Sequence, residues 1–201
     1  MRLKGAIDDV FINCPFDKGY APILQALIFT VYACGFRPRS ARETDDGGEA
    51  RLEKIFRLID QCRYGIHDIS RTQLDGNKLP RFNMPFELGL FLGARRYGKG
   101  LHAEKKLLIF DSEQYRYQKF ISDLAGTDIH AHKNNVRTAV VHTRDWLATA
   151  SRRSLPSGGK IYAIFKKFSK DLPSYARKLD LDPKDVTYAD FERLVAGWLA
   201  P

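Results

Sequence analysis

Three observations predict an α/β fold: a doubly wound parallel sheet of about five strands with a C-terminal helical extension. Strand-like and helix-like patterns alternate from residue 9 to about residue 150. The run Lys106–Asp111, KLLIFD, is apolar at successive positions, as a strand covered on both faces requires. Composition then shifts at Ser151–Gly159, and two amphipathic helical patterns follow with no further strand. Residues 1–150 are therefore expected to form the α/β domain and residues 151–201 a helical extension.

Val10-Phe11-Ile12-Asn13 opens the chain as a short strand, and Pro15 ends its ladder. Ala21 to Cys34 is dense enough in apolar residues for a buried helix, with Gly35 as its stop. Phe36 to Ala41 reads as a second strand, and Pro38 places it at an edge. After the loop Asp45-Asp46-Gly47-Gly48, Leu52, Ile55, Phe56 and Ile59 recur at helical spacing. Tyr64 to Ile69 is the third strand, and a polar loop with Gly76 and Pro80 follows it. Pro85 stands near the first turn of the next helix, where a missing N–H costs nothing. That helix is predicted to run to about Arg95. After the KLLIFD strand come a helix over Tyr117–Leu124, stopped by Gly126, and a strand over Thr127–Ala131. Asn134 or Asn135 then caps a helix to about Thr149. In the extension, Ile161 to Leu172 is a helix with Ile161, Ile164, Phe165 and Phe168 on one face. Thr187 caps the last helix, whose apolar side carries Phe191, Leu194, Val195 and Trp198. These faces have to be covered, so the extension is expected to pack on the domain.

The formal net charge of +9 favours anionic ligands, but the basic residues are spread along the chain. No dense basic stripe or nucleic-acid reading motif is present, so nucleic acid is not an expected partner. Cys14, Cys34 and Cys62 are odd in number and lack metal-type spacing, which suggests neither a disulfide framework nor a zinc site. His130 and His132 alternate on one strand face, but no third ligand accompanies them. No metal and no cofactor is expected. Met1 to Asp9 is short and charged and reads as no secretory leader, and the most apolar stretch, Ile23 to Cys34, is too short to span a bilayer. The expectation is a cytoplasmic protein without membrane contact, with self-association left open.

In open α/β sheets, ligands bind beyond the carboxyl ends of the strands. Three segments bring unusual residues to that edge: Asn13-Cys14-Pro15-Phe16-Asp17, His67-Asp68-Ile69-Ser70, and Arg81-Phe82-Asn83-Met84-Pro85-Phe86-Glu87. Glu87 stands out because Phe86, Leu88, Leu90, Phe91 and Leu92 surround it in sequence. It is either a carboxylate placed to favour the helix start or a nucleophile or charge stabiliser for a cationic sugar. Asp68 is either a turn cap or a group that holds ribose hydroxyls or takes a proton. Cys14 is a nucleophile by position, or a small apolar residue at a strand end.

Val10 to Phe16 resembles the opening strand and Pro-Phe loop of nucleoside 2-deoxyribosyltransferases. Cys62 to Ser70 resembles that family's third strand, which ends in an acid, an apolar residue and Ser or Thr. Phe86-Glu87-Leu88-Gly89 is similar to its Glu-x-Gly element, whose Glu is the nucleophile. The same arrangement resembles TIR domains, which share a flavodoxin-like sheet and some of which cleave NAD with a helix-borne Glu. The likeness spans roughly residues 9–130. Arg81, Asn83, Met84 and Pro85 depart from the transferase residues before the Glu, so transfer to a second base is not implied.

The resemblance implies attack on the N-glycosidic bond of a nucleotide or nucleoside, of the NAD or nucleoside 5′-phosphate type. Glu87 and Asp68 would be the catalytic pair. Asn13, Cys14, Pro15, Phe16, Ser70, Arg81 and Asn83 would bind substrate, with Phe16 stacking on the base. Arg42, Arg81 or Lys18 would meet a phosphate. The alternative is a non-catalytic module, either a nucleotide sensor or a TIR-like interaction domain.

Overall fold

A computed structural model describes residues 8–72, 74 and 81–200. Gly76 and Pro80, placed in a loop above, lie outside the described residues. Five strands, β1 (Asp9–Asn13), β2 (Arg37–Arg39), β3 (Tyr64–Asp68), β4 (Lys106–Asp111) and β5 (Ile129–Ala131), form one all-parallel sheet in the order β2-β1-β3-β4-β5. Helices α1 (Ala21–Ala33), α2 (Arg51–Gln61), α3 (Asn83–Tyr97) and α4 (Val136–Ser151) connect or follow the strands, and α5 (Gly158–Lys178) and α6 (Tyr188–Leu199) complete the chain. The fold is flavodoxin-like and doubly wound.

Strand pleating decides which side chains meet which helices. Val10, Ile12, Tyr64, Ile66, Leu108 and Phe110 point to the face covered by α1 and α4. Phe11 points the other way, into a cluster with Ile55, Leu58 and Ile59 of α2 and Phe91 of α3. Ile109 joins Ile69, Leu88 and Ile129 in a third cluster on that second face. Helix α1 explains the dense apolar run after Ala21. It packs on the sheet and against α4, α5 and α6, so Ile23, Leu27, Ile28, Phe29 and Val31 are all buried.

The extension is part of this core. Phe29 of α1 has ring centroids 5.4 Å from Phe165, 5.2 Å from Phe168 and 6.2 Å from Trp198. Phe191 closes on Phe168 at 5.9 Å. Three of the four expected docking residues therefore meet Phe29, and the fourth, Phe191, joins them through Phe168. The caps hold as well: Asn135 accepts from Thr138 N, and Thr187 and Asp190 form a reciprocal capping box.

Two elements differ from expectation. The helix expected over Tyr117–Leu124 is instead two short 3₁₀ turns, Arg116–Lys119 and Ser122–Leu124. Tyr115 takes a left-handed backbone conformation, φ 61°, just before them. Arg116 is thereby turned back to bond Asp111, Thr72 Oγ1 and the Ile69 carbonyl, and a continuous helix gives way to those bonds. Helix α5 runs past Leu172 to Lys178 although Pro173 inside it removes one ladder bond, and Ala176 beyond the proline is fully buried.

Candidate functional site

Asn13 ends β1, and His67, the last residue but one of β3, is paired with it in register. The pleat turns both toward α3. Asn13 Nδ2 donates to the Met84 carbonyl at 3.0 Å and to His67 Nδ1 at 3.1 Å. A ring nitrogen that accepts carries no proton, so His67 is neutral with its hydrogen on Nε2. Burial, helped by the Lys105 ammonium, pushes the His67 imidazole down to about 3. Gly65 leaves room for this arrangement: a Cβ there would lie 2.7 Å from His67 Nε2 and 2.8 Å from the Phe91 ring.

The bond from Asn13 fixes the first turn of α3, and Glu87 follows one turn later. Glu87 is the fifth residue of the helix, not a first-turn residue. Helix-dipole stabilisation fades within the first turn, so the helix start does not account for it. It is 5% exposed, and burial raises its carboxyl above the ordinary range against the opposing pull of Arg51. Arg51 Nη2, on a half-exposed side chain of α2, stands 3.5 Å from Glu87 Oε1.

Asp68 lies on the opposite face. It shares the pleat of Tyr64 and Ile66, which puts it toward α1, and it is fully buried. Tyr20 Oη donates to Oδ2 at 2.6 Å and the Ser70 N–H to Oδ1 at 2.8 Å. His132 Nε2 lies 3.0 Å from Oδ2. His132 Nδ1 accepts from the Asn134 N–H, so the ring's hydrogen is on the nitrogen facing Asp68. The alternation His130-Ala131-His132 was the visible signal for this partner. Tyr20 had no comparable signal, because it depends on how the chain turns into α1.

Asp68 and Glu87 thus approach the carboxyl edge from opposite faces and make no direct contact. Cys14 lies between them. Burial pushes its thiol up, reinforced by the fields of Asp68 and Glu87. It stays protonated, as a small apolar filler does. Pro15 is buried behind it. Phe16 carries the Arg42 guanidinium 4.6 Å above its ring, so that face is already occupied by a cation. Ser70 is buried with Oγ unpartnered, and Asn13 Oδ1 is likewise buried and unpartnered. Arg81 reaches Asp17 at 3.6 Å, Asn83 is exposed at the first position of α3, and Lys18 is exposed.

Three hollows open along this edge. One of about 560 Å³ is walled by Arg42, Arg51 and Lys54, interspersed with Glu43, Asp45 and Glu49, on one side and by Thr187, Tyr188 and Ala189 of the extension on the other. A second, about 320 Å³, lies over Asp17, Arg71 and Arg81. A third, about 350 Å³, takes in Ser70, Arg71, Ser112 and Lys133. Arg71 lines both of the smaller two, so they adjoin. Arg42, Arg51 and Arg71 are the functional candidates that sequence spacing does not single out as a set. Among the described residues, no group of three or more His, Cys, Asp or Glu is placed to hold a metal ion. No described helix is long and apolar enough to cross a membrane. No protein-family profile, no curated protein and no solved structure matches the chain.

Proposed function

We propose that the carboxyl edge of the sheet binds a nucleotide or nucleoside and that Glu87 promotes cleavage of its N-glycosidic bond. The observation that carries this reading is a buried carboxylate in the second turn of α3, countered among the described residues by a single arginine at 3.5 Å, Arg51, which itself lines the hollow of about 560 Å³. A hollow of that size suits a small molecule. A carboxylate so poorly solvated exerts a strong field on a cation that forms next to it.

In this reading the C1′–N bond breaks and its electron pair leaves on the base. Positive charge grows on the sugar, and the ionised Glu87 stabilises or traps it. Water, or a second acceptor, then completes the exchange at C1′. Arg51 swings from Glu87 toward a substrate phosphate, and Arg42 stands ready beside it. Asp68, enclosed by Tyr20, Ser70 and His132, acts as a positioning residue that fixes the loop after β3.

A nucleotide-sensing or interaction module is the second reading. Phe82 and Phe86, 61% and 53% exposed on either side of this site, favour it. The test is incubation with nucleosides, nucleotides and NAD, followed by chromatography for released base. Base release that falls at least about a hundredfold in Glu87→Gln, with the fold and ligand affinity retained, supports the catalytic reading. A wild-type chain inactive on the whole panel overturns it and leaves binding without turnover.

A further inference from the structure

Another hollow opens at the other end of the sheet, where β3 and β4 begin. It measures about 690 Å³ and is lined by Arg63, Arg95, Lys106 and Arg152, with Glu104 as the acid and Trp146 as the large ring. Glu104 is committed to Arg63, 3.3 Å away. Among the described residues, Arg95, Lys106 and Arg152 have no ion pair. Arg63 Nε is buried and unpartnered.

Helix dipoles account for part of this charge. Arg95 stands in the last turn of α3 and Arg152 at the C-cap of α4, where cations are favourable. Lys106 opens a strand and Arg63 precedes one, so neither follows from a helix end. Arg152 is also held with φ 56°, a left-handed conformation that costs a non-glycine residue and turns its side chain to the rim of the hollow. Four cations against one acid exceed what two helix ends call for. Trp146, packed edge to face on the buried Tyr64 ring at 6.0 Å, supplies an apolar border.

We propose that this hollow is a second ligand site, remote from Glu87, for a small anion of the polyphosphate type. Arg95, Lys106 and Arg152 would neutralise the phosphate oxygens, and Trp146 would border the ligand. The proposal is independent of the reading of Glu87.

Inorganic tripolyphosphate is the probe. The indole N–H resonance of Trp146, assigned by its disappearance in Trp146→Phe, is followed during titration at low and at 0.15 M salt. A saturable shift is expected, with affinity falling about tenfold for each cation removed in Lys106→Gln and Arg95→Gln. Arg152→Gly removes the third cation while relieving the backbone, so it is expected to weaken binding without loss of thermal stability. Arg71→Gln, at the opposite edge, is expected to leave the titration unchanged. An indole resonance that does not move, or binding unaffected by Lys106→Gln and Arg152→Gly, overturns the proposal.

Discussion

The side chain of Asn13 ties the end of β1 to the main chain of Met84, 3.0 Å away, across 71 residues of sequence. Through that single bond, the first strand sets the start of the helix that carries Glu87.

Asn13→Ala is therefore expected to cost about 1–3 kcal/mol, because it removes the bond to α3 and leaves His67 Nδ1 unmet in a buried setting. Asn13→Asp, which cannot donate to a carbonyl, is expected to cost at least as much. Urea unfolding of the three proteins at neutral pH measures both.

His67 gives a pH dependence of definite sign. Its imidazole is pushed from 6.5 to about 3 in the fold, so the unfolded chain takes up a proton first as pH falls. Its contribution is fully present above pH 6.5 and is lost progressively as pH drops toward 3. Stability measured at pH 7 and pH 5 is expected to differ less in His67→Gln than in the parent. The His67 ring resonances should show no imidazolium form at pH 5.

Glu192 works in the opposite direction. Burial on α6, with Glu43 nearby, lifts its carboxyl from 4.5 to about 7. The folded state holds the proton more tightly, so this contribution is present below about pH 4.5 and is lost as pH rises through 7. Glu192→Gln is expected to stabilise the protein at pH 8 relative to the parent, by roughly 3 kcal/mol at most, and to do little at pH 4. Denaturant midpoints at the two pH values are the check.

Phe29 joins α1 to both helices of the extension. Phe29→Ala is expected to cost about 3–5 kcal/mol, whereas Phe86→Ala, on an exposed face, should stay within about 0.5 kcal/mol. Thermal or urea melts distinguish the two.

Where a side chain's partner is close in sequence, or its environment is implied by periodicity, the sequence is enough. Lys106–Asp111, the caps Asn135 and Thr187, and the edge position of β2 with its Pro38 all follow from local chemistry. Phe165, Phe168, Phe191 and Trp198 were legible as apolar helix faces, although Phe29, which meets Phe165, Phe168 and Trp198, was not legible as their partner. The site was legible only to the level of the strand ends. Asp68 depends on Tyr20, 48 residues away, and Glu87 on Arg51, 36 residues away. No periodicity encodes such pairs. The pleat that sends Asp68 to the α1 face, away from the helix that carries Glu87, depends on where β3 starts, and a single residue of register would reverse it. Arg116 shows the same limit: its bonds to three partners, Asp111, Thr72 and Ile69, override a local helical pattern.

The two outer strands, β2 and β5, are three residues long each. In β2 the middle residue, Pro38, has no amide hydrogen, and Arg37 and Arg39 flank it, tied back to Asp9. A foreign strand approaching either side would find little main chain to zip against, and on one side a gap between two positive charges. The sheet is thus guarded against cross-β growth at its borders, and that protection is built into the same arginines that hold β2 to β1.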